Sequence, residues 1–553
     1  MEKTILTADE FIKFWTKEYI NNKNKKNLYV DDSSSKTKKA LRFENVIIEE
    51  KIKIENIDEE LIALRFVNCE IKELVINNCK TDFIQFQNKT EIGQLNIGNN
   101  SQTRFISFEN STSKNGINIW TNSVCEGIHV FYESNVSNIL IDGKQTNGGY
   151  IQAENSKIGT VFCDNGASLM YIELVDSKVS NFEFIGKSII EFMNIQKTLI
   201  QKFNAKNSYI DLHININESS INYFNIQVNS IPELNFENTF IHSIFYKNII
   251  SSSFNLRNCK VLNFVFKEMK TGKDGLIQLI DCEIANLTFD KMINLSSFNI
   301  SNLKPLKEAT VFKYSIYPKS NFARGGNLFE LIEKKDIITN ISFISSDLGK
   351  MLISSNLSEF DNFIFANSKI SEIFIAGPQL PKIKTIDGED LILQQRIAYN
   401  QIKKIYENRG DAITPLKFFR DEMDSYRLQT FIDTEKKSLS EKFQLNFNKY
   451  TNSHGTNWIK PLLLTLKTSI FLYIIYCLLI FGFDFNAEIN FNLIPYYFEF
   501  LNPTHKVNFI KDFNIETNSL SDNIALSIDF INRILVPLLV YQLIQAFRMY
   551  GKK

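Results

Sequence analysis

Residues 69–109 read CEIKELVINNCKTDFIQFQNKTEIGQLNIGNNSQTRFISFE, and the spacing of apolar residues in this stretch decides the fold. Pairs of apolar residues with one residue between them recur every 10 or 11 positions, at Leu74/Ile76, Ile84/Phe86, Leu95/Ile97 and Ile106/Phe108. The intervening residue is often polar, as at Gln85, Asn96 and Ser107. Such alternation is typical of a strand with one buried face. The pattern therefore predicts a series of short strands.

The positions before each pair are also ordered. Five residues before the first apolar residue lies a small one (Cys69, Cys79, Thr90, Ser101), often preceded by Asn or Asp. The pattern continues, with a wavering register, to Phe363/Phe365 and Ile373/Ile375. A unit this short cannot hold a pair of helices, so it predicts stacked coils with tight corners. Coils of about 21 residues from about residue 42 to 380 would give about 15 turns and a rod of about 70 Å.

This arrangement resembles the pentapeptide-repeat family. In that family a small and then a larger apolar residue point inward, and four five-residue faces make each coil of a right-handed parallel β-helix. The family's Ala-Asp/Asn-Leu signature is absent here, and Phe or Ile replaces the small residue on alternate faces. The resemblance covers more than half of the chain and implies a mainly β fold, with the right-handed parallel β-helix over residues 42–385.

An amphipathic helix is predicted near the start of the sequence, over residues 7–21. Thr7 suits its N-cap, and Phe11, Phe14, Trp15 and Tyr19 fall on one side. Such a helix suits the exposed end of a β-helix, because it covers a strand edge. Residues 1–41 are therefore predicted to be a capping helix followed by a Lys-rich loop.

Helical spacing replaces the repeat after residue 386. Ile402, Ile405 and Tyr406 fall on one face of a first helix. The sequence NRGDAITP then gives a stop at Gly410 and a restart at Thr414 with Pro415 in the first turn. A helical hairpin linker is predicted over 386–455, and Gly410 is its candidate hinge.

The last region, residues 456–553, is predicted to be a membrane domain with spans near 460–483 and 525–547. Both stretches approach the roughly 20 apolar residues needed to cross a bilayer. Lys460 and Lys467 could reach lipid headgroups from the first span, and Trp458 suits the interface. A buried helix of a soluble protein is the alternative.

The second predicted span contains polar residues and a proline. Five of them are candidate pore or inter-helix positions: Asp529, Asn532, Arg533, Gln542 and Gln545. Pro537 is a candidate hinge because proline kinks helices. Polar groups inside a bilayer are costly and should face a partner or water. Two interpretations stay open: Asp529 and Arg533 lie at the outer interface, or the polar stripe lines a pore between subunits.

The C-terminal part also resembles a known group of proteins. The run AYNQIKKIYENRGD…LKFFRDEMDSYR, then SHGTNWIKPLL and an apolar span, is similar to bacterial pentapeptide-repeat membrane proteins. In those proteins a helical pair links the solenoid to a two-span region often described as ion-channel-like. Basic residues before the first span and after the second predict an inner-membrane, multi-pass protein with both termini cytoplasmic.

Composition excludes several classes. The 62 basic and 62 acidic residues cancel, which argues against nucleic acid as a partner of the whole chain. Seven cysteines, an odd number without close pairs, predict neither a disulfide framework nor a zinc site. Phosphate loops and nucleophile elbows are absent from the sequence, so we expect no cofactor and no catalytic residues.

The sequence therefore predicts a membrane-anchored, non-enzymatic protein. Its cytoplasmic β-helix would bind or sense a protein or ligand, and would be coupled to a homo-oligomeric two-span domain acting as an ion channel or membrane-permeabilising effector. Two helices cannot enclose a water path, so a pore requires several copies. The alternatives are an inert membrane-tethered scaffold and a β-helix carbohydrate-active enzyme.

Overall fold

The structure is a computed structural model. It describes residues 3–13, 28–30, 39–56, 62–120, 122–143, 148–228, 230–247, 250–312, 331–376, 383–384, 390–432, 438–481, 487–506 and 520–551. The chain divides into two compact units, residues 1–384 and 385–553.

The first unit is a parallel β-solenoid of about 14 turns, as the repeat predicts. Its strands alternate along the chain between two long sheets. The first sheet holds Thr4–Ile5, Val46–Glu55, Glu70–Asn77, Glu91–Gly98, Thr112–Trp120, Asn135–Asp142, Lys157–Asp164, Lys178–Phe184, Leu199–Lys206, Ser220–Gln227, Phe240–Lys247, Lys260–Lys267, Glu283–Asp290, Lys304–Pro305, Asn340–Ile344, Asn362–Ala366 and Ile383–Lys384. The second holds Leu28–Val30, Lys39–Glu44, Ile62–Val67, Lys80–Gln87, Gln102–Glu109, Val124–Phe131, Tyr150–Glu154, Ser168–Val175, Ile189–Gln196, Tyr209–Asn217, Ser230–Glu237, Ile250–Arg257, Leu276–Ile280, Ser297–Ser301, Met351–Ser354 and Phe374–Ile375.

Register between turns follows the predicted period. Ile221 pairs with Ile241, an offset of 20 residues, and Val261 pairs with Ile284, an offset of 23. The apolar pairs point inward, since Leu74 and Ile76 are fully buried. The small residue before each strand is buried as well, as at Cys69. One turn therefore contains two eight-residue strands with the same inward pattern.

The corners between strands explain the recurring asparagines. Asn68, Asn78 and Asn258 have φ angles of 52°, 50° and 49°, in the left-handed region that Asn tolerates better than most residues. Their amides also stack from turn to turn: Nδ2 of Asn258 donates to Oδ1 of Asn238 at 2.6 Å. A corner with Asn thus combines a permitted backbone conformation with a side chain that can bond to the next coil.

A short helix, α1 (Ala8–Lys13), lies at the first turns. Thr7 and Glu10 form a reciprocal capping box: the Glu10 N–H donates to Oγ1 of Thr7 at 3.2 Å, and the Thr7 N–H donates to Oε2 of Glu10 at 3.1 Å. Phe11 is fully buried and stacks on Phe43 with ring centroids 4.7 Å apart. Helix α1 therefore covers the inner aromatic column. The predicted positions Phe14, Trp15 and Tyr19 lie outside the described residues.

An excursion interrupts the repeat in the described part of the solenoid after Asp290. Asn286 pairs directly with Asn340, an offset of 54 residues. Between them the chain forms an antiparallel pair, Glu308–Phe312 with Leu331–Asp336. The solenoid then resumes and contains one short 3-10 helix, Leu357–Glu359.

The second unit is helical in its described residues. Its helices are α2 (Leu391–Asn408), α3 (Thr414–Ile432), α4 (Leu439–Asn452), α5 (Ile459–Phe481), α6 (Ala487–Leu501) and α7 (Leu520–Gly551). Helices α2 and α3 form the predicted hairpin, joined by an ion pair between Lys403 and Glu422 at 2.7 Å. A second core lies among α5, α6 and α7, where Tyr476, Phe500 and Ala525 are buried together.

Candidate functional site

The faces of α5 and α7 are arranged opposite to those of a soluble amphipathic helix. On α5 the buried face carries Thr465 and Ser469, whereas Phe471 on the outward face is 62% exposed. On α7 the buried face carries Asp529, Asn532 and Gln542. The outward face is apolar, at Phe530, Ile531, Ile534, Leu538, Val540, Tyr541, Ile544 and Phe547. The outward faces of both helices are therefore mainly apolar, with exceptions such as Lys467 and Ser527, and the buried faces hold these polar groups among apolar residues such as Tyr476 and Leu539.

Asp529 is the centre of a buried charge cluster at one end of α7. Its carboxylate lies 2.8 Å from Nε2 of His505 and 3.0 Å from Nη2 of Arg533. The side chains of Asp529 and His505 are almost fully buried, and that of Arg533 is 22% exposed. The Asp529–Arg533 pair follows from the i,i+4 spacing, as the sequence suggests. His505 comes from the segment after α6, and no local pattern connects it to α7.

Asn532 joins α7 to α6. Its Nδ2 donates to the carbonyl oxygen of Phe500 at 2.7 Å, at the last turn of α6. Asn532 is fully buried. Its amide therefore satisfies one of the carbonyls that the end of a helix leaves without an intrahelical partner.

Gln542 and Gln545 join α7 to α4. Asn452, the last residue of α4, donates from Nδ2 to Oε1 of Gln542, and to Oε1 of Gln545 at 3.2 Å. Oδ1 of Asn452 accepts from the N–H of Gly455 at 2.8 Å. Of the five polar residues singled out in the second span, Asn532, Gln542 and Gln545 thus bond to other helices, whereas Arg533 pairs with Asp529 on α7 itself.

The two candidate hinges differ in their surroundings. Gly410 follows α2 with a φ of 78°, and a Cβ there would meet no atom within 4 Å. It closes the first helix of the hairpin, as the sequence predicts. Pro537 lies inside α7, on the exposed face, and α7 runs continuously through it over 32 residues.

Another polar cluster, centred on Asp424, was not apparent from the sequence. Asp424 on α3 lies 2.9 Å from Nζ of Lys449 and 3.3 Å from Nε2 of His454. Burial lowers the pKa of His454 below its ordinary value, although the hydrogen bond with Asp424 opposes this. Burial raises the pKa of Asp424, but hydrogen bonds with Lys449 and His454 outweigh it, so its pKa is below the ordinary value. His454 closes a turn between α4 and α5, which a single sequence gives no reason to place beside α3.

One basic residue, Lys460, and one acidic residue, Glu422, have partners that the sequence did not indicate. Lys460 donates to the carbonyl of Lys449 at 3.0 Å, so it binds the end of α4. Glu422 of α3 is buried and accepts from Nδ2 of Asn400 at 2.7 Å as well as from Lys403.

The cysteines and histidines of the solenoid lie in packing or ladder positions. All seven cysteines of the chain are buried and unbridged, and burial raises the pKa of Cys69 and of Cys282 to about 11. His213 lies 2.6 Å from Glu233 on the next turn, and His129 lies 2.9 Å from the hydroxyl of Tyr150. Among the described residues, no group of three His, Cys, Asp or Glu side chains could hold a metal ion.

Comparison with known proteins returned no relatives. The chain matches no family model, no curated protein and no solved structure.

Proposed function

We propose that the chain is a non-enzymatic protein held in a membrane by α5 and α7, with a β-solenoid that binds a partner. One observation carries the proposal: the outward faces of α5 and α7 are mainly apolar, while Thr465, Ser469, Asp529, Asn532 and Gln542 lie on their buried faces. Among the described residues, these are the two helices long and apolar enough to cross a bilayer, and only 28% of each apolar stretch is buried. The core helix of a soluble protein would be mostly buried, and an exposed apolar patch of this size favours contact with lipid.

Flanking charge supports an orientation for this proposal. Lys436, Lys437, Lys442 and Lys449 precede α5, and Arg548 and Lys552 lie at the far end of α7. The positive-inside rule then places the solenoid and both ends of the sequence in the cytoplasm and the connection between the spans outside. We also propose that the solenoid is of the pentapeptide-repeat kind. The spacing of a small residue, any residue and an apolar residue before each apolar pair supports this assignment.

Ion conduction by an oligomer is the second candidate. The buried cluster of His505, Asp529 and Arg533 favours it, because charged groups within a span are costly and commonly mark ion pathways. Against it, the outward face of α7 is apolar and its polar groups bond within one chain. A pore between copies would require α7 to rotate. The geometry of one chain therefore supports an anchor better than a channel.

Association with lipid is the experiment that tests the proposed anchor. Full-length protein is incubated with phosphatidylcholine and phosphatidylglycerol vesicles and centrifuged in a flotation gradient. We expect the protein to float with the vesicles and to resist extraction at alkaline pH. Replacing Phe471 and Ile474 by Lys on the exposed face of α5 should reduce flotation, whereas replacing the exposed Lys404 and Lys417 of the hairpin by Gln should not. Wild-type protein that stays in the aqueous fraction would rule out the anchor.

Ion flux distinguishes the second candidate. Protein reconstituted in vesicles loaded with potassium should give no flux above that of empty vesicles if it is an anchor. Sustained flux that disappears on replacing Asp529 by Asn, with insertion unchanged, would favour conduction instead.

A further inference from the structure

The outer face of the second sheet carries a column of aromatic residues. Pairing in register aligns one outward position of successive turns. The residues at this position are Phe83, Phe105, Gly127, Tyr150, Tyr171, Phe192 and His213. Tyr171 and Phe192 stack with centroids 5.2 Å apart. The column is interrupted only at Gly127.

Tyr150 fills the gap at Gly127 by lying over it. A Cβ placed on Gly127 would come within 2.4 Å of Cζ and within 2.8 Å of both Cε atoms of Tyr150. Because these ring carbons, and not the hydroxyl, are nearest, the ring face covers the backbone of Gly127. A glycine inside a strand commonly marks such a close approach. The opposite ring face points away from the sheet, and the hydroxyl is fixed by His129 at 2.9 Å.

A column of hydrogen-bonding side chains runs beside the aromatic one, two residues further along each strand. Its members are Gln85, Ser107, His129, Gln152, Glu173, Asn194, Asn215, Asn235, Asn255 and Gln278. Neighbouring amides bond to one another: Asn235 donates to Asn215, and Asn255 donates to Asn235, both at 2.8 Å. Nδ2 of Asn235 also donates to Glu233, and Nδ2 of Asn255 also donates to Ser253. An amide has two donors and two acceptor lone pairs, so these amides keep acceptor lone pairs for a further partner.

The end of this column opens into a groove. The groove has a volume of about 260 Å³ and is lined by Asn215, Asn235, Asn255 and Gln278, with Glu237 and Arg257 at its side. Oδ1 of Asn255 is buried there and accepts no hydrogen bond from the described residues. The groove therefore presents amide oxygens with spare lone pairs, which suit a ligand whose groups donate hydrogen bonds.

The charges of the side chains around the aromatic column indicate which class of ligand this face can bind. Five glutamates lie around the aromatic column: Glu109, Glu126, Glu154, Glu173 and Glu191. Against them stand Arg65 and Arg104, which lie over the rings of Phe83 and Phe105, and Arg104 is also held by Asp82 at 2.7 Å. Nucleic-acid sites need a surplus of cations for the phosphates, and this face has the opposite balance. Hydroxyl groups both donate and accept, and the C–H face of a sugar ring packs on an aromatic ring.

We propose that the outer face of the second sheet binds an extended, neutral polysaccharide chain. Tyr150 would stack on one sugar ring, and the column of hydrogen-bonding side chains would bind hydroxyl groups. The inference rests on the proposed function only in that the solenoid is the part that binds a partner. Binding here is separate from cleavage, which the carbohydrate-active alternative would require.

The test is retention of the full-length protein on insoluble polysaccharides. The protein is kept in a detergent without sugar headgroups and mixed with cellulose, chitin or cross-linked dextran. We expect retention on at least one, with soluble oligosaccharide of the same kind releasing the protein. Retention on none of them would overturn the proposal, as would release of reducing ends without retention. A protein that floats with the vesicles but is not retained on any polysaccharide would refute only this inference. A protein that is retained on a polysaccharide but does not float would refute only the anchor.

Two variants locate the site. Tyr150→Ala should weaken binding by about fivefold or more, because it removes the stacked ring. Gly127→Ala keeps the tyrosine but displaces its ring, and should weaken binding in the same direction. The matched control is Tyr223→Ala, an outward tyrosine on the first sheet, which should leave binding unchanged. Equal loss in all three variants, or no loss in the first two, would contradict the assigned face.

Discussion

At the scale of single residues, asparagine has two different structural roles in the solenoid. At corners such as Asn68 it accepts a left-handed backbone, and along the sheet faces it forms amide ladders such as Asn215, Asn235 and Asn255. The sequence indicated the first role, because Asn so often precedes the small inward residue. The ladders depend on which coil lies next to which, and that register is set over 20 or more residues.

The candidate site shows the same limit of local patterns. The Asp529–Arg533 pair could be read from i,i+4 spacing, and the buried Leu74 and Ile76 from alternation. His505 and Asn452 could not, because each meets α7 from a distant segment whose packing is decided by the whole helical unit. The excursion between Pro305 and Asn340 was missed because a wavering register was expected to continue to Phe363/Phe365, so this stretch was not recognised as an insertion.

Gln542→Leu is expected to destabilise the helical unit by about 1–3 kcal/mol, because it leaves the buried amide of Asn452 with only the longer bond to Gln545 among its side-chain acceptors. The double variant Asn452→Leu/Gln542→Leu should cost less than the sum of the two single changes, since it removes both polar partners together. Thermal unfolding in detergent micelles measures the loss of stability in the single and double variants. Ile544→Leu, on the exposed face of α7, is the control. Strict additivity would show that the two side chains do not interact. A loss of function in Gln542→Leu is therefore no evidence of a pore.

His454 predicts how the helical unit responds to acid. Its pKa in the folded protein lies below its ordinary value of 6.5 because of burial, so the unfolded chain binds the proton more readily. The contribution of His454 to the free energy of unfolding is therefore fully present above about pH 6.5. It is lost as the pH falls from there toward the pKa of His454 in the folded protein. The pKa of Asp424 is below its ordinary 3.8, so its contribution is lost only at still lower pH.

Apparent melting temperatures at pH 7.5 and 5.5 check this for wild type and for His454→Asn, which tolerates the φ of 56° at this position. The wild-type protein should lose more stability than the variant between these pH values. An equal or larger loss in the variant would show that His454 is not a source of the acid sensitivity.

At the scale of elements, α1 illustrates how a short helix completes a repeat. Coils of a solenoid stabilise one another only through their neighbours, so the terminal coil needs a cover. Phe11 supplies it by continuing the stack formed by Phe43 and Phe66, whose centroids are 5.3 Å apart. The capping box of Thr7 and Glu10 fixes the start of the helix that carries Phe11.

Phe11→Ala is expected to cost about 3–5 kcal/mol locally, as for other large buried aromatics. Hydrogen exchange measured by mass spectrometry should then increase in Lys39–Glu44 and Val46–Glu55. Lys178–Phe184 and Leu199–Lys206, many coils away, should be unchanged. Phe11→Leu retains most of the volume and should have a smaller effect. Faster exchange throughout the solenoid would mean that it unfolds as one cooperative unit.

At the scale of the whole molecule, the proposed topology assigns each connection of the helical unit to one side of the membrane. All seven cysteines are buried, so a cysteine introduced at an exposed site can be labelled selectively. Glu407, at the end of α2, and Thr504, after α6, are both exposed. Positive-inside flanks place the first in the cytoplasm and the second outside.

An impermeant maleimide added to intact cells should therefore label Thr504→Cys. Glu407→Cys should be labelled only after the membrane is permeabilised, and the cysteine-containing parent should stay unlabelled in both conditions. Labelling of both variants in intact cells would place the hairpin outside, and labelling of neither would place both connections inside. Either result contradicts two crossings with a cytoplasmic solenoid. Because the readout depends on neither conduction nor a bound partner, it tests the topology separately from the function proposed for the solenoid.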